Sequence, residues 1–387
     1  MIPLSAHGKS HKVTEPIIGK IASSEAGWSH RIQLREGWDG PTCDGFDAVL
    51  CEQLVPPTIL SGLNTPVVHG FSTAHLAEGD VVRLDDRGHV RTLYRRASKF
   101  NALFATDRCS SLCLMCSQPP RNINDDWRVG EMLRTIELID PTTPELGITG
   151  GEPTLLKDGF LEVVRACIEQ LPNTALHILS NGRLFRYGSF AKRLAAIQHH
   201  DLMIGVPVYS DLECRHDHVV QAKGAFEDTL IGLQNLGRFG VPVEIRVVLH
   251  RYTFERLPQL AEFIYRNLTF ASHVTFMGME MMGFAISNLD ALWVDPFDYR
   301  DQLERATLFL AERGMNVSVY NHQLCTVPES IWPFCRKSIS DWKNDYLPQC
   351  ERCGVREQCG GFFTSAIHRR TSQHIMPVER RALCAPI

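Results

Sequence analysis

No apolar run in the sequence approaches the ~18–20 residues of a membrane-spanning helix, which argues against a helical membrane protein. Nor is there an excess of one charge. The 40 Lys+Arg stand against 44 Asp+Glu, a net charge of −4, so a dedicated nucleic-acid binder, with its usual basic surplus, is not expected. Low-complexity tracts and internal repeats are absent, which excludes compositionally biased and repeat architectures. The opening residues Met1-Ile2-Pro3-Leu4-Ser5-Ala6-His7-Gly8-Lys9 lack the apolar core of an export signal. The expectation is a cytoplasmic protein. Its 387 residues, 44% of them hydrophobic, can bury a full core without disulfide staples.

Cysteine is what the chain has in plenty. Thirteen is a high and odd number for a reducing compartment, where disulfides are rare. Clustered cysteines there are metal ligands or catalytic groups more often than bridges. The isolated Cys43, Cys51, Cys167 and Cys214 read as small buried apolar residues.

Three regions follow from the pattern. Residues 1–95 carry short apolar runs, Gly, Pro and His, and form a small β-rich unit. Within it, Gly79–Leu84 and His89–Tyr94 flank Asp85-Asp86-Arg87-Gly88 and read as a hairpin. Residues 96–320 alternate strand and helix. Strands are expected at Leu146–Thr149, Ala175–Ser180, Leu202–Val208, Val243–Leu249, His273–Met277 and Asn316–Tyr320. Helices are expected at Phe160–Gln170, Phe226–Phe239, Leu257–Asn267 and Tyr299–Arg313. Such βα units imply an α/β fold with a parallel sheet, here a partial (β/α)6 barrel of the TIM type, too short for eight-fold closure. Residues 321–387 are a loop-rich, cysteine-rich extension organised by a metal.

Cys109, Cys113 and Cys116 give C-x3-C-x2-C on one short segment. Three thiolates can each bind one iron of a [4Fe–4S] cubane and leave the fourth iron open for another molecule. A zinc site short of one ligand, or buried free thiols, are the other readings. About 35 residues on, by direct count, Leu146-Gly147-Ile148-Thr149 runs as a strand into Gly150-Gly151-Glu152-Pro153. Two glycines allow close backbone approach and the proline fixes the exit. Carbonyls there, with the Glu152 carboxylate, can accept hydrogen bonds from an ammonium group.

Together these segments resemble the radical S-adenosylmethionine (SAM) enzymes. The resemblance implies that SAM chelates the open iron, with Gly150, Gly151, Glu152 and Pro153 beside its amino group. Reductive cleavage of SAM then gives a 5′-deoxyadenosyl radical that abstracts hydrogen. Met115 stands where that family usually has an aromatic residue near the adenine. Ser180 and Asn181, at the end of a strand, either bond the ribose or carboxylate of SAM or simply make a turn. Arg246 lies in the otherwise apolar strand Val243–Leu249 and needs a partner. Glu244 is set aside as pointing to the other face, and the SAM carboxylate is the favoured partner. Hydrogen abstraction needs no side-chain acid or base, so no catalytic residue is named. Tyr209 and Glu280 are placed near the site, with core packing and an arginine pair as their plainer roles.

The second cluster, Cys350, Cys353 and Cys359, is C-x2-C-x5-C. Spacing alone suits zinc and iron–sulfur equally. The radical SAM resemblance favours one auxiliary iron–sulfur cluster in an extension similar to the SPASM and twitch types. A fuller SPASM pattern would need a cysteine at position 363, which is Phe363. Cys325, aimed by the preceding strand, is chosen as fourth ligand over Cys335 and Cys384.

A longer resemblance runs through Cys113–Pro120, Leu176–Arg183, Ala225–Leu230 and Lys337–Asn344. These stretches are similar to the His-Xaa-Ser system radical SAM maturase family, C subunit. It implies modification of a ribosomally made peptide or protein, a His-Xaa-Ser repeat precursor, with a second radical SAM maturase and a low-potential electron donor as partners. A radical SAM enzyme acting on RNA or a small molecule, and a non-catalytic iron–sulfur or zinc partner protein, are the competing classes.

Overall fold

The computed structural model describes residues 3–22, 29–38, 45–338 and 344–379. Cys43, Cys384 and the 339–343 part of the Lys337–Asn344 stretch lie outside the described residues. The chain divides into two compact units. One contains Met1–Ala105, Asp126–Ile148 and Asp158–Leu176; the other contains Thr106–Asp125, Thr149–Lys157 and His177–Ile387.

The first unit is built on a mixed sheet of eight short strands. Val81–Leu84 and His89–Tyr94 pair antiparallel, as the hairpin reading requires. Asp85 accepts hydrogen bonds from the backbone of Arg87 and His89, and Gly88 turns the chain at φ +82°. The strands Ser5–His7 and Lys9–His11 are consecutive in sequence yet lie at opposite ends of the sheet. The first pairs with His89–Tyr94 and the second with Val67–His69. The Ser5–His11 segment therefore bridges the two ends of the sheet, a closure made through one continuous segment. Gly8 makes the closure possible, because a Cβ there would lie 2.7 Å from the His69 carbonyl oxygen. Ile21, Ile32, Leu50, Val68, Val82, Leu84 and Val90 fill the core. Helices Arg128–Leu138 and Asp158–Gln170 complete this unit.

In the second unit, Leu202–Pro207, Val243–Leu249, His273–Gly278, Val317–Tyr320 and Cys335–Arg336 are successive parallel neighbours. The helices Ala225–Arg238, Leu257–Asn267 and Arg300–Ala311 alternate with them. This is the expected α/β arrangement with a parallel sheet. Val243, Ile245, Val247, Val274, Phe276 and Val319 are buried, because helices cover a parallel sheet and its strands read as apolar runs. The Cys335–Arg336 strand was not anticipated, nor were helices Gly188–Ala195 and Glu213–Val220. Of the isolated cysteines, Cys51 and Cys167 are buried as expected, but Cys214 is exposed. It sits in the first turn of Glu213–Val220, a helix whose sequence ECRHDHVV is polar through its first six residues.

Candidate functional site

The Cys109–Cys116 segment is fixed from several sides by its own unit. At its entry, the buried Asp125 carboxylate accepts hydrogen bonds from Thr106 Oγ1 (2.8 Å), the Asp107 backbone (2.6 Å) and Arg108 Nε (3.0 Å). Further on, Leu112 and Leu114 donate backbone hydrogen bonds to Val220 and Val219, and Phe284 donates to the Cys116 carbonyl. Asn288 Nδ2 donates to the Leu114 carbonyl at 2.8 Å. Such tethering lets three cysteines share one loop without any regular element under them.

Gly150-Gly151-Glu152-Pro153 lies directly against this loop. The Gly151 and Glu152 N–H groups donate to the Thr106 and Arg108 carbonyls, each at 2.7 Å. A Cβ on Gly151 would sit 2.1 Å from the Arg108 carbonyl oxygen, and Gly150 has φ +146°. Gly151 thus serves the approach of one backbone to another, and Gly150 supplies a conformation that other residues rarely adopt.

Glu152 is almost completely enclosed. Its Oε1 accepts from the Thr154 backbone (3.1 Å), Thr154 Oγ1 (2.5 Å) and Ser180 Oγ (2.8 Å). Its Oε2 accepts from the Asn181 backbone at 2.6 Å. Burial raises its pKa, against the pull of these donors. The carboxylate is a clasp between the Gly-Gly-Glu-Pro turn and the Ser180–Asn181 turn. The backbone of the turn, not this side chain, is what remains to meet an ammonium group. Ser180 Oγ also accepts from the Gly182 N–H, so its hydroxyl is used within the turn. Asn181 Nδ2 reaches Ser110 Oγ (2.9 Å) and Cys109 Sγ (3.9 Å).

Burial pushes the Cys109 thiol up to about 11 and Cys113 up to about 12, and raises Cys116 as well. For Cys109 the Glu152 charge adds to this; for Cys113 the other two thiolates do. The three sulfurs are therefore near neighbours in a site that resists their ionisation until cations compensate. Among the described residues no three His, Cys, Asp or Glu side chains converge as they would around a single ion. A cubane does not ask that of its ligands, since each thiolate takes a different iron. A second observation bears on the fit. Ser111 Oγ, inside the same loop, is enclosed and has no hydrogen-bond partner, leaving a donor that an electron-rich cluster would satisfy.

Met115 packs in a buried cluster with Tyr209, Val219, Val220, Ala225, Ala285 and Leu292, and with the partly buried Cys113. Tyr209 is thus a core residue beside the cysteine loop. Burial and the neighbouring thiols drive its pKa well above the ordinary value.

Arg246 departs from expectation. Its Nη1 donates to Glu244 Oε2 at 2.7 Å and Nη2 lies 3.2 Å from Met277 Sδ. Residues two apart on a strand share a face, so Glu244 is the natural partner and does not point away. His177 Nε2 (2.9 Å) and His273 Nδ1 (3.5 Å) approach the same carboxylate. Burial opposes the Glu244 charge, but hydrogen bonds from the two histidines and the Arg246 charge outweigh it and depress the pKa strongly. A carboxyl depressed in the fold contributes its full stability above its unfolded value of 4.5 and loses it as pH falls below that. Between about pH 5 and pH 3, the melting temperature of the wild type is expected to fall more steeply than that of Glu244→Gln. Parallel curves would contradict this reading.

The second cysteine group surrounds a cavity of about 20 Å³ lined by Cys325, Cys350, Cys353 and Cys359, with Tyr346, Phe362 and Met376. Cys335 is not in that lining. Its thiol lies 3.5 Å from the Ile331 carbonyl oxygen. Backbone N–H groups point at the sulfurs: Leu324 (3.4 Å) and Gly361 (3.5 Å) at Cys359, and Val378 (3.4 Å) at Cys353. Outer donors of this kind suit sulfurs that bind metal, while burial raises the Cys359 thiol and pushes Cys325 up to about 11. Cys109, Cys113, Cys116, Cys325, Cys335, Cys350, Cys353 and Cys359 are free thiols.

Residues 103–264 match the Radical SAM superfamily. The matched stretch is similar to the radical SAM domain. It contains Cys109, Cys113, Cys116, the Gly150–Pro153 turn, Ser180, Asn181 and Arg246. The PqqA peptide cyclase of Granulibacter bethesdensis is 27% identical over 216 residues, covering 54% of this chain and 53% of that protein. The chain thus spans about half the length of this curated relative. Among solved structures, anSMEcpe with bound AdoMet and Cp18Cys peptide superposes with a TM-score of 0.50 at 14% identity, over 72% of this chain and 91% of that one. SuiB of Streptococcus suis bound to S-adenosylmethionine gives 0.45 at 16% identity, over 63% and 53%. The likeness to anSMEcpe concerns the fold alone. No helix among the described residues is long and apolar enough to cross a membrane.

Proposed function

We propose that the chain is a cytoplasmic radical SAM maturase that modifies a ribosomally made peptide or protein, a His-Xaa-Ser repeat precursor. A second radical SAM maturase and a low-potential electron donor are its partners. The observation that carries the reading is the cysteine loop bonded to the Gly-Gly-Glu-Pro turn inside the matched domain. The peptide substrate is supported by the relative named as a PqqA peptide cyclase.

Cys109, Cys113 and Cys116 would hold a [4Fe–4S] cluster. When bound, it supplies the electron that cleaves SAM to methionine and a 5′-deoxyadenosyl radical. The backbone of Gly150–Pro153 would receive the SAM ammonium group, and Glu152 clasps that turn to Ser180 and Asn181. Met115 closes the apolar wall beside Cys113 and excludes water. Asn181 borders the site with its amide at Ser110 and Cys109, and Ser180 holds Glu152. Arg246 carries its own carboxylate, so its role toward SAM is at most shared.

Cys325, Cys350, Cys353 and Cys359 would hold one auxiliary iron–sulfur cluster. Cys325→Ala is expected to lower iron and sulfide content after anaerobic reconstitution by about one cluster's worth, and Cys350→Ala to do the same. Cys335→Ala should leave it unchanged. Zinc in place of iron at this site, found by elemental analysis, would overturn the assignment. Co-expression with a short His-Xaa-Ser repeat protein should yield a mass change in that protein that depends on Cys113. An unchanged mass would refute the proposed substrate.

A further inference from the structure

Arg183 follows the Ser180-Asn181-Gly182 turn and reaches across to the cysteine loop. Its Nη1 donates to the Ser110 carbonyl at 2.7 Å, between Cys109 and Ser111. Its Nε (3.2 Å) and Nη2 (3.0 Å) both donate to Asp228 Oδ2. Asp228 stands in the first turn of helix Ala225–Arg238, where a negative charge is favoured by the helix dipole. It also pairs with Arg186. The Arg183 and Asp228 side chains are only 20% and 13% exposed, so this ion pair is screened less than a surface pair. The turn itself is held, since Thr229 Oγ1 donates to the Asn181 carbonyl at 3.1 Å. The Arg183 N–H donates to Asn181 Oδ1 at 3.1 Å, which orients the amide. The other end of that amide points at Ser110 Oγ and Cys109 Sγ.

We propose that Arg183, anchored by Asp228, is a positioning residue for Cys109. Its guanidinium fork ties the Ser110 carbonyl to the helix Ala225–Arg238, while its backbone aims the Asn181 amide at the cysteine sulfur. The segment that presents the first thiol is thereby held still from outside the loop. The inference rests on the reading that Cys109 holds a cluster. It adds a requirement that the cysteine pattern does not contain, because the fork needs two acceptors in fixed places and lysine cannot span both.

The test uses the full chain, reconstituted anaerobically and reduced, in wild type, Arg183→Ala and Arg183→Lys. The readouts are the rate at which excess bathophenanthroline erases the SAM-responsive electron paramagnetic resonance signal, and the melting temperature of the unreconstituted chain. Loss of an outer partner of a metal ligand weakens metal holding ~10–100-fold. Arg183→Ala is expected to lose the signal ~10-fold faster or more, with only a small fall in melting temperature from the lost ion pair, and Arg183→Lys to be no better. Loss at the wild-type rate in Arg183→Ala, or full rescue by Arg183→Lys, would overturn the proposal. Should Arg183→Ala fail to fold, Asp228→Asn takes its place. Faster loss in that variant supports the proposal and a wild-type rate refutes it. If the wild type itself shows no SAM-responsive signal, the underlying cluster reading has failed, and the proposal falls with it.

Discussion

Replacing Cys109, Cys113 or Cys116 singly with Ala is expected to abolish 5′-deoxyadenosine formation from SAM and to remove about four irons per chain. The effect is all-or-none for a physical reason. Each thiol would be alone responsible for one iron, and the loop offers no fourth thiol to substitute. The buried thiols of Cys109 and Cys113 resist ionisation, with pKa values pushed up to about 11 and 12. Two remaining thiolates in such surroundings would not repay the cost of binding. The corresponding change at Cys167 removes a buried thiol with no thiol partner in its environment, so iron content and product should both be retained. Iron analysis and chromatographic detection of 5′-deoxyadenosine, run on the same anaerobic samples, decide the matter.

Glu152→Gln is expected to be nearly as damaging, although it changes one atom. Both carboxylate oxygens accept from a backbone N–H: Oε1 from Thr154 and Oε2 from Asn181. Whichever way the amide is turned, its NH2 group faces one of those donors. The hydroxyls of Thr154 and Ser180 can rotate to accept, but the backbone cannot. In a site this enclosed, an unpaired donor costs ~1–3 kcal/mol, and more when a charged acceptor is lost. The variant should unfold at lower denaturant by ~2–4 kcal/mol. It should also lose most SAM cleavage, because the Gly-Gly-Glu-Pro turn is no longer pinned to Ser180–Asn181. Glu152→Asp, too short to reach both turns, should not rescue it. Wild-type stability in Glu152→Gln would show that the carboxylate is not the clasp described.

Much of this was legible in the sequence because it is local. Apolar runs announced the strands, and the Asp85–Gly88 turn announced its hairpin. The C-x3-C-x2-C and Gly-Gly-Glu-Pro patterns lie within single short segments. What escaped depends on contacts between distant residues. Nothing near Gly8 reveals that Ser5–His7 and Lys9–His11 pair with opposite ends of one sheet. Helices Gly188–Ala195 and Glu213–Val220 span only two turns each, too little periodicity to register. Glu152 reads naturally as a ligand-binding acid until Ser180 and Asn181 are seen to claim its oxygens. The Glu244–Arg246 pair could have been found, since side chains two apart on a strand face the same way. Cys325 is presented by the strand Val317–Tyr320 before it and lines the same cavity as Cys350, Cys353 and Cys359.

The most direct measurement is electron paramagnetic resonance of the reduced, reconstituted full-length chain with and without SAM. The account predicts a [4Fe–4S] signal whose g-values shift when SAM is added, absent from Cys113→Ala and retained in Cys350→Ala. A spectrum indifferent to SAM, or one that survives Cys113→Ala unchanged, would contradict it.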